Sequence, residues 1–276
     1  MRYLAVALAL FGAAQVPGSI RVGADDNLPY VRIPAGSFLM GCSTGDQDCF
    51  PNESPQHRVT ISRSFWIGVT EVTTRAFKRF VDATGGPMPA EVSSGNPGWR
   101  DDRMPMVNVA WADAATFCTW AGGALPTEAQ WEYAARGGAD SARYGPLDEI
   151  AWTADNSGHA RLDSERLQQN GGLGAVMDAA RTNGNAAHEV GLKRANGYGL
   201  YDTLGNLDEW TADWWSPSYY AESPSTDPTG PAAGTLRVLR GGSWTYPSKH
   251  TRVSKRQFAP PTTAGANAGF RCVLPG

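Results

Sequence analysis

Two short stretches decide how this chain is read: Gly205-Asn206-Leu207-Asp208-Glu209-Trp210 and Arg240-Gly241-Gly242-Ser243. In the first, a glycine turn lies between two carboxylates, Asp202 and Glu209. In the second, paired glycines permit close backbone approach while Ser243 hydrogen-bonds locally. The segment that follows, Trp244-Thr245-Tyr246-Pro247-Ser248-Lys249-His250-Thr251, holds no cysteine. No Gly-x-Ser-x-Gly elbow, His-Glu-x-x-His helix or phosphate-cradling glycine loop occurs in the chain. Ser243 is therefore a nucleophile in name only.

Outward from these stretches, 32 glycines, 19 prolines and 10 tryptophans with only 18% charged residues predict many turns held by large aromatic side chains. A net charge of -3 gives no basic stripe for phosphate contacts, which excludes nucleic acid as a partner. Met1-Arg2 followed by the apolar run from Leu4 to Ala14 has the layout of a signal peptide over residues 1–14. No stretch approaches the roughly 18 apolar residues of a membrane span. An extracytoplasmic location, periplasmic or secreted, is expected. Four cysteines, Cys42, Cys49, Cys118 and Cys272, allow three pairings. Cys42 and Cys49 enclose a short polar loop that a local bridge closes easily, leaving Cys118 for Cys272. A metal-binding dithiol is the alternative for the first pair.

Alternation from Tyr30 to Gly41, with Pro34 and Gly36 at a turn, predicts a strand pair, and Val59 to Val69 predicts another. Thr73 to Thr84 places Ala76, Phe77, Phe80 and Val81 on one face of a helix capped by Thr73 and ended by Gly85. Ala112 to Ala121 predicts a second helix. A Thr127/Gln130 capping box starts a third that ends at Gly137, with Trp131, Ala134 and Ala135 inward. The polar Gly/Asn/Gln-rich stretch from Asp155 to His188 predicts a surface loop at about 158–187 with one short helix near Gly174 to Arg181. Pro217 to Pro231 is a second loop, followed by a strand at Leu236 to Arg240. With no internal repeat and no linker, one domain over 28–275 is the economical reading.

The two opening stretches, together with Leu125-Pro126-Thr127-Glu128-Ala129-Gln130-Trp131-Glu132-Tyr133-Ala134-Ala135-Arg136-Gly137-Gly138 and the closing Gly269-Phe270-Arg271-Cys272, make the chain resemble the formylglycine-generating enzyme (sulfatase-modifying factor) superfamily. The resemblance runs from about Val31 to Val273. It implies an α+β fold related to C-type lectins, low in regular secondary structure and rich in loops. It also implies a disulfide between Cys118 and Cys272, and an insertion at 158–187 where many relatives are shorter. Asp202, Gly205, Leu207 and Glu209 match the positions of a structural calcium, for which two side-chain oxygens and two carbonyls on a tight turn are suitable donors. Asp202 stands where the family has Asn, which keeps an oxygen ligand. Of a second family calcium site, Asn156 alone matches.

In the oxygen-dependent members, two reactive cysteines after the Gly-Gly-Ser motif hold copper(I), a soft ion suited to thiolates. Those positions fall on Tyr246 and Thr251, so no copper is expected. Iron-dependent relatives take three histidines from a helical domain absent here, and the spacing of His159, His188 and His250 gives an iron site no support. His57 is expected to be structural. The expected ligand groove is formed by Ser243, Trp244, Tyr246, His250, Thr251 and Arg252. Three functions follow from the resemblance. The favoured one is binding of a peptide, glycan or envelope partner without the copper reaction. The others are an oxidoreductase-like maturation factor similar to the pyoverdine-maturation member, and, disfavoured, a sulfatase activator.

Overall fold

A computed structural model describes residues 18–92 and 95–276. The leader read at residues 1–14 lies outside the described residues. Short strands form where one side of the pleat can be buried. β1 (Ile20–Val22) and β2 (Pro29–Ile33) come first, and Tyr30, Val31 and Ile33 of β2 are buried. β3 (Gly36–Met40), β4 (His57–Ile61) and β5 (Phe65–Gly68) follow.

The strands expected between Tyr30 and Gly41 and between Val59 and Val69 are present, but neither pair is a hairpin. β2 runs antiparallel to β5, with Val31 opposite Ile67, whereas β3 pairs with β4, with Phe38 opposite Val59. The physical reason lies in the connections. Pro34-Ala35 lacks the left-handed Asn-Gly or Gly-X geometry of a two-residue hairpin, so it carries the chain from one sheet to the next.

α1 (Thr74–Thr84) starts where the Thr73 hydroxyl accepts the Ala76 N–H at 3.3 Å and ends at Gly85, whose φ is 72°. Its Ala76 and Phe77 are buried, with Phe80 and Val81 packed against the same core. α2 (Trp111–Trp120) buries Phe117 and Cys118. α3 (Glu128–Arg136) carries the Thr127/Gln130 capping box and stops at left-handed Gly137. It is buried on all sides, Glu128, Glu132 and Arg136 included.

α4 (Leu147–Ile150) leads to α5 (Ser164–Thr182), which fills most of the stretch expected to be loop. Asp163 caps α5 by accepting the Arg166 N–H at 3.0 Å, and Gly171 and Gly172 break it into two helical pieces. That glycine pair interrupts the 3.6-residue period, which concealed the first piece.

The rest of the chain is β6 (Asp208–Trp214), α6 (Tyr219–Glu222), β7 (Arg237–Arg240), β8 (Arg256–Ala259), β9 (Ala268–Gly269) and β10 (Val273–Pro275). One sheet has the order β1-β2-β5-β10, another β8-β7-β6-β9, and β3-β4 forms a ribbon. Helix accounts for 26% and strand for 18%, so the fold is α+β with most of its chain irregular. Both disulfides form as expected, Cys42–Cys49 and Cys118–Cys272, which tie a surface loop and join α2 to the chain just before β10.

Buried charge holds α3 to the C-terminal sheet. Arg240 of β7 donates to Glu128 at 2.9 Å and also pairs with Glu132, while Arg256 of β8 grips Glu128 at 2.7 and 2.9 Å. Burial alone would raise the Glu128 carboxyl, but Arg256 and Arg240 outweigh it and hold it below its ordinary value of 4.5. Its contribution to stability is therefore present above pH 4.5 and is lost as the pH falls through the depressed folded value. Removing one partner strands a buried charge, so Arg256→Met is expected to cost about 3–5 kcal/mol in urea unfolding at neutral pH. The deficit relative to the unsubstituted protein should shrink in acid. A loss within a few tenths of a kcal/mol at neutral pH would contradict this account.

Candidate functional site

The segment after β7 turns sharply at Gly241 and Gly242, with φ of 97° and 74°. A Cβ on Gly241 would lie 3.1 Å from the Thr203 carbonyl and 3.2 Å from the Trp131 ring, so only glycine passes here. The Gly205 N–H bonds the Gly241 carbonyl at 3.1 Å, and the Trp244 N–H bonds the Asn206 carbonyl at 3.0 Å. The two stretches that decided the sequence reading are thus stitched together.

Ser243, Thr251 and Arg252 are fully buried. The Ser243 and Thr245 hydroxyls are 2.9 Å apart. The Thr251 Oγ1 is enclosed without a hydrogen-bond partner. Arg252 lies in the interior rather than in a groove wall: it grips Glu53 with two bonds of 2.7 Å and Asp46 with one of 2.9 Å. Trp244 is 9% exposed and donates to the Ala266 carbonyl. Tyr246 and His250 are half-buried. Burial and Asp208 push the Tyr246 phenol up, Asp208 being the larger influence.

α5 reaches across this segment. Its Gln168 amide lies 3.4 Å from the His250 ring, whose other side stacks on Phe50 at 5.4 Å between centroids. Burial, and then Lys255, Lys249 and Arg252, pull His250 down to about 4. A cavity of about 640 Å³ opens beside Trp244 and Thr245 against Met177 and Arg181 of α5. Another of about 790 Å³ lies away from these residues, between Ile61–Phe65 and the C-terminal strand. None of the Ser243–Thr251 segment lines it, whereas Trp244 and Thr245 line the cavity of about 640 Å³.

The sulfatase-modifying factor enzyme 1-like domain matches residues 22–275. The chain is 36% identical to the formylglycine-generating enzyme of Streptomyces coelicolor, over 88% of each chain. It is 29% identical to the inactive C-alpha-formylglycine-generating enzyme 2 of Mus musculus, covering 92% of this chain and 88% of that one. PvdO from Pseudomonas aeruginosa superposes with a TM-score of 0.75 at 28% identity, over 94% of this chain and 98% of PvdO. The chain belongs to the sulfatase-modifying factor family.

In this family member every cysteine is in a disulfide. The histidines are dispersed. His57 approaches the Pro55 carbonyl at 3.0 Å, and His188 stacks on Trp152 at 3.7 Å. Among the described residues, the one grouping of three His, Cys, Asp or Glu whose ligand atoms all lie within 4.8 Å of one another is Cys42, Asp46 and Cys49, whose sulfurs are bonded to each other.

The four positions matched to calcium surround a buried acidic cluster. Asp202 takes a left-handed φ of 55°; its Oδ2 accepts the Gly191 N–H at 2.7 Å and its Oδ1 is enclosed without a partner. Burial lifts its carboxyl to about 6. Glu209 accepts Arg271 at 2.6 and 2.7 Å and Trp131 at 2.8 Å. Glu71, also buried, accepts the Asn206 amide and the Leu207 N–H. Of the three carboxylates, Glu209 contacts the Arg271 guanidinium, whose charge also acts on Asp202 and Glu71. An orphaned oxygen and an oxygen-only donor set fit a hard cation. At the second family site, Asn156 has its oxygen committed to the Thr153 N–H at 2.8 Å.

Sequence reasoning missed Lys255, Asp208, Phe50 and Gln168. Lys255 was the readable one, as one of only four lysines, set within an arginine-rich segment. With its pKa lowered to about 4, His250 is expected to stay neutral at pH 7 and its ring carbons to titrate by NMR only in acid. A midpoint near the ordinary 6.5 would disprove the enclosed, cation-flanked environment.

Proposed function

We propose that this chain is an extracytoplasmic family member that does not run the two-thiol copper reaction and instead binds a peptide, glycan or envelope partner. The candidate groove is the cavity lined by Trp244 and Thr245, with Tyr246 and His250 further along the same segment. The observation that carries this is chemical: a phenol and a hydroxyl, Tyr246 and Thr251, stand where the resembling enzymes use two thiolates. Oxygen donors of this kind are poor ligands for a soft monovalent ion. The four cysteines present are committed to Cys42–Cys49 and Cys118–Cys272, and none can be spared for the site. Likeness to a relative named as inactive supports the reading. The bridges also support an oxidising compartment, and no described helix is long and apolar enough to cross a membrane.

A second reading, an oxidoreductase-like maturation factor, draws on the likeness to PvdO. The two readings differ in whether the groove alters what it binds. Incubated with copper(I), oxygen and a cysteine-bearing sulfatase peptide, the purified protein is expected to leave the peptide unchanged by mass spectrometry. Conversion of the cysteine to an aldehyde would overturn both readings and restore sulfatase activation.

Calcium is part of the same proposal. Asp202 and Glu209 would supply side-chain oxygens and Gly205 and Leu207 their carbonyls, and the ion would neutralise the acidic cluster against Arg271. Chelation with EGTA is expected to lower the Tm of the unsubstituted protein, and added calcium to restore it. Asp202→Ala should start at a lower Tm and not respond to EGTA. A Tm indifferent to EGTA in the unsubstituted protein would remove the site.

A further inference from the structure

Five basic side chains are buried in and around the C-terminal sheet, and four of them are matched. Arg240 meets Glu128 and Glu132, Arg252 meets Glu53 and Asp46, Arg256 meets Glu128, and Arg271 meets Glu209. The fifth, Lys255, is only 7% exposed and makes no ion pair with any described residue. Its Nζ lies 3.6 Å from the centre of the Phe50 ring. A cation–π contact supplies part of what burial takes from an ammonium, but it does not neutralise the charge.

The surroundings make a built site rather than a stray side chain. Phe50 is held just after the Cys42–Cys49 bridge and also stacks on His250. Gln168 of α5 closes over His250. Nearby, Asp208 Oδ1 and Thr251 Oγ1 are both enclosed without partners. Thr251 borders Gly242: a Cβ on that glycine would lie 3.6 Å from Thr251 Oγ1. Burial pulls the Lys255 ammonium down to about 8, opposed by Glu53 and Asp208 and assisted by Arg252 and Arg240. His250 is depressed partly by Lys255, Lys249 and Arg252, with Asp48 opposing, so the potential at its ring is net positive although Asp208 and Glu53 act on Lys255 from the other direction. A positive, partly dry corner with an unpaired ammonium and an aromatic wall favours an anion attached to a flat group.

We propose that Lys255 is the anchor for an anionic oxygen group, a carboxylate or sulfate, on the groove's ligand, with Phe50 and His250 packing against the atoms that carry it. This rests on the reading of the groove as a binding site and assigns the chemistry of its ligand. No bond is made or broken. The ammonium gains a counterion, and the ring contacts place the rest of the ligand towards Tyr246 and Trp244.

Three probes of similar shape test it by calorimetry on the full protein: benzoate, benzenesulfonate and neutral benzamide. Either anion is expected to bind about tenfold more tightly than benzamide, as a charge-assisted contact allows. The tighter anion tells whether a carboxylate or a sulfate is preferred. Lys255→Met should erase the preference and Lys255→Arg should keep part of it. Should Lys255→Met fail to fold, the unsubstituted protein still decides, because the bound anion should protect Lys255 from acetylation, read by peptide mass mapping. Equal affinity for benzoate and benzamide, no protection of Lys255, or an anion preference that survives in Lys255→Met would overturn the proposal. Benzamide binding lost in Phe50→Ala, with no anion preference, would remove the anchor and leave the groove standing. Binding of none of the probes would remove both.

Discussion

A guanidinium that is fully buried has to find a carboxylate, and this protein satisfies that requirement across the whole chain. Arg252 reaches Glu53, Arg240 and Arg256 reach Glu128, and Arg271 reaches Glu209, all between elements distant in sequence. Paired interior charges of this kind add little net stability over an apolar core, but an unpaired one is costly. Their effect is on specificity, because a misplaced strand or helix would strand a charge. With most of the chain irregular, hydrogen-bonded ladders alone cannot set the arrangement, and the arginine–carboxylate contacts supply the missing registration.

The network also explains how the segment from Ser243 to Thr251 keeps its place. Arg240 lies just before it and Arg252 just after it, each locked to acids from α3 or the region of Cys42–Cys49. The glycines at 241 and 242 pass under Trp131 and beside Thr251, and Gly205 approaches from the other side. The backbone of the site is thus defined by residues outside it. The frame therefore does not depend on which side chains stand at 246 and 250.

What was legible in the sequence follows the same division. Local signals were reliable: the Thr73 cap with Gly85, the Thr127/Gln130 box with Gly137, and the short Cys42–Cys49 loop each specify a structure within a few residues. Long-range choices were not. The strand segments around β2 to β5 were visible, but which of them pair depends on corners at Pro34-Ala35 and Ser62–Ser64, where no hairpin signature directs the chain. α5 was hidden by its own glycines. Among the site residues, Tyr246 and His250 could be located from the flanking motif, whereas the interior position of Arg252 depends on Glu53 and Asp46, far away in sequence. Lys255 gave a faint signal, since its lack of a partner is visible only when the others are placed.

Lys255 differs from its neighbours in a way that bears on how the site diverged. An arginine at that position, with its planar fork, would be expected to seek a bidentate acid as Arg252 and Arg256 do. A lysine is compact, tolerates an aromatic face and can lose its proton when dry, so it can remain unpaired at tolerable cost. The frame therefore holds arginines where charge must be matched internally and a lysine where the match is left open. No thiolate stands at Tyr246 or Thr251 in this corner. The residues in this corner, a phenol, two hydroxyls, an imidazole held neutral and an unpaired ammonium, offer hydrogen bonding and charge to oxygen-bearing groups under the binding proposal.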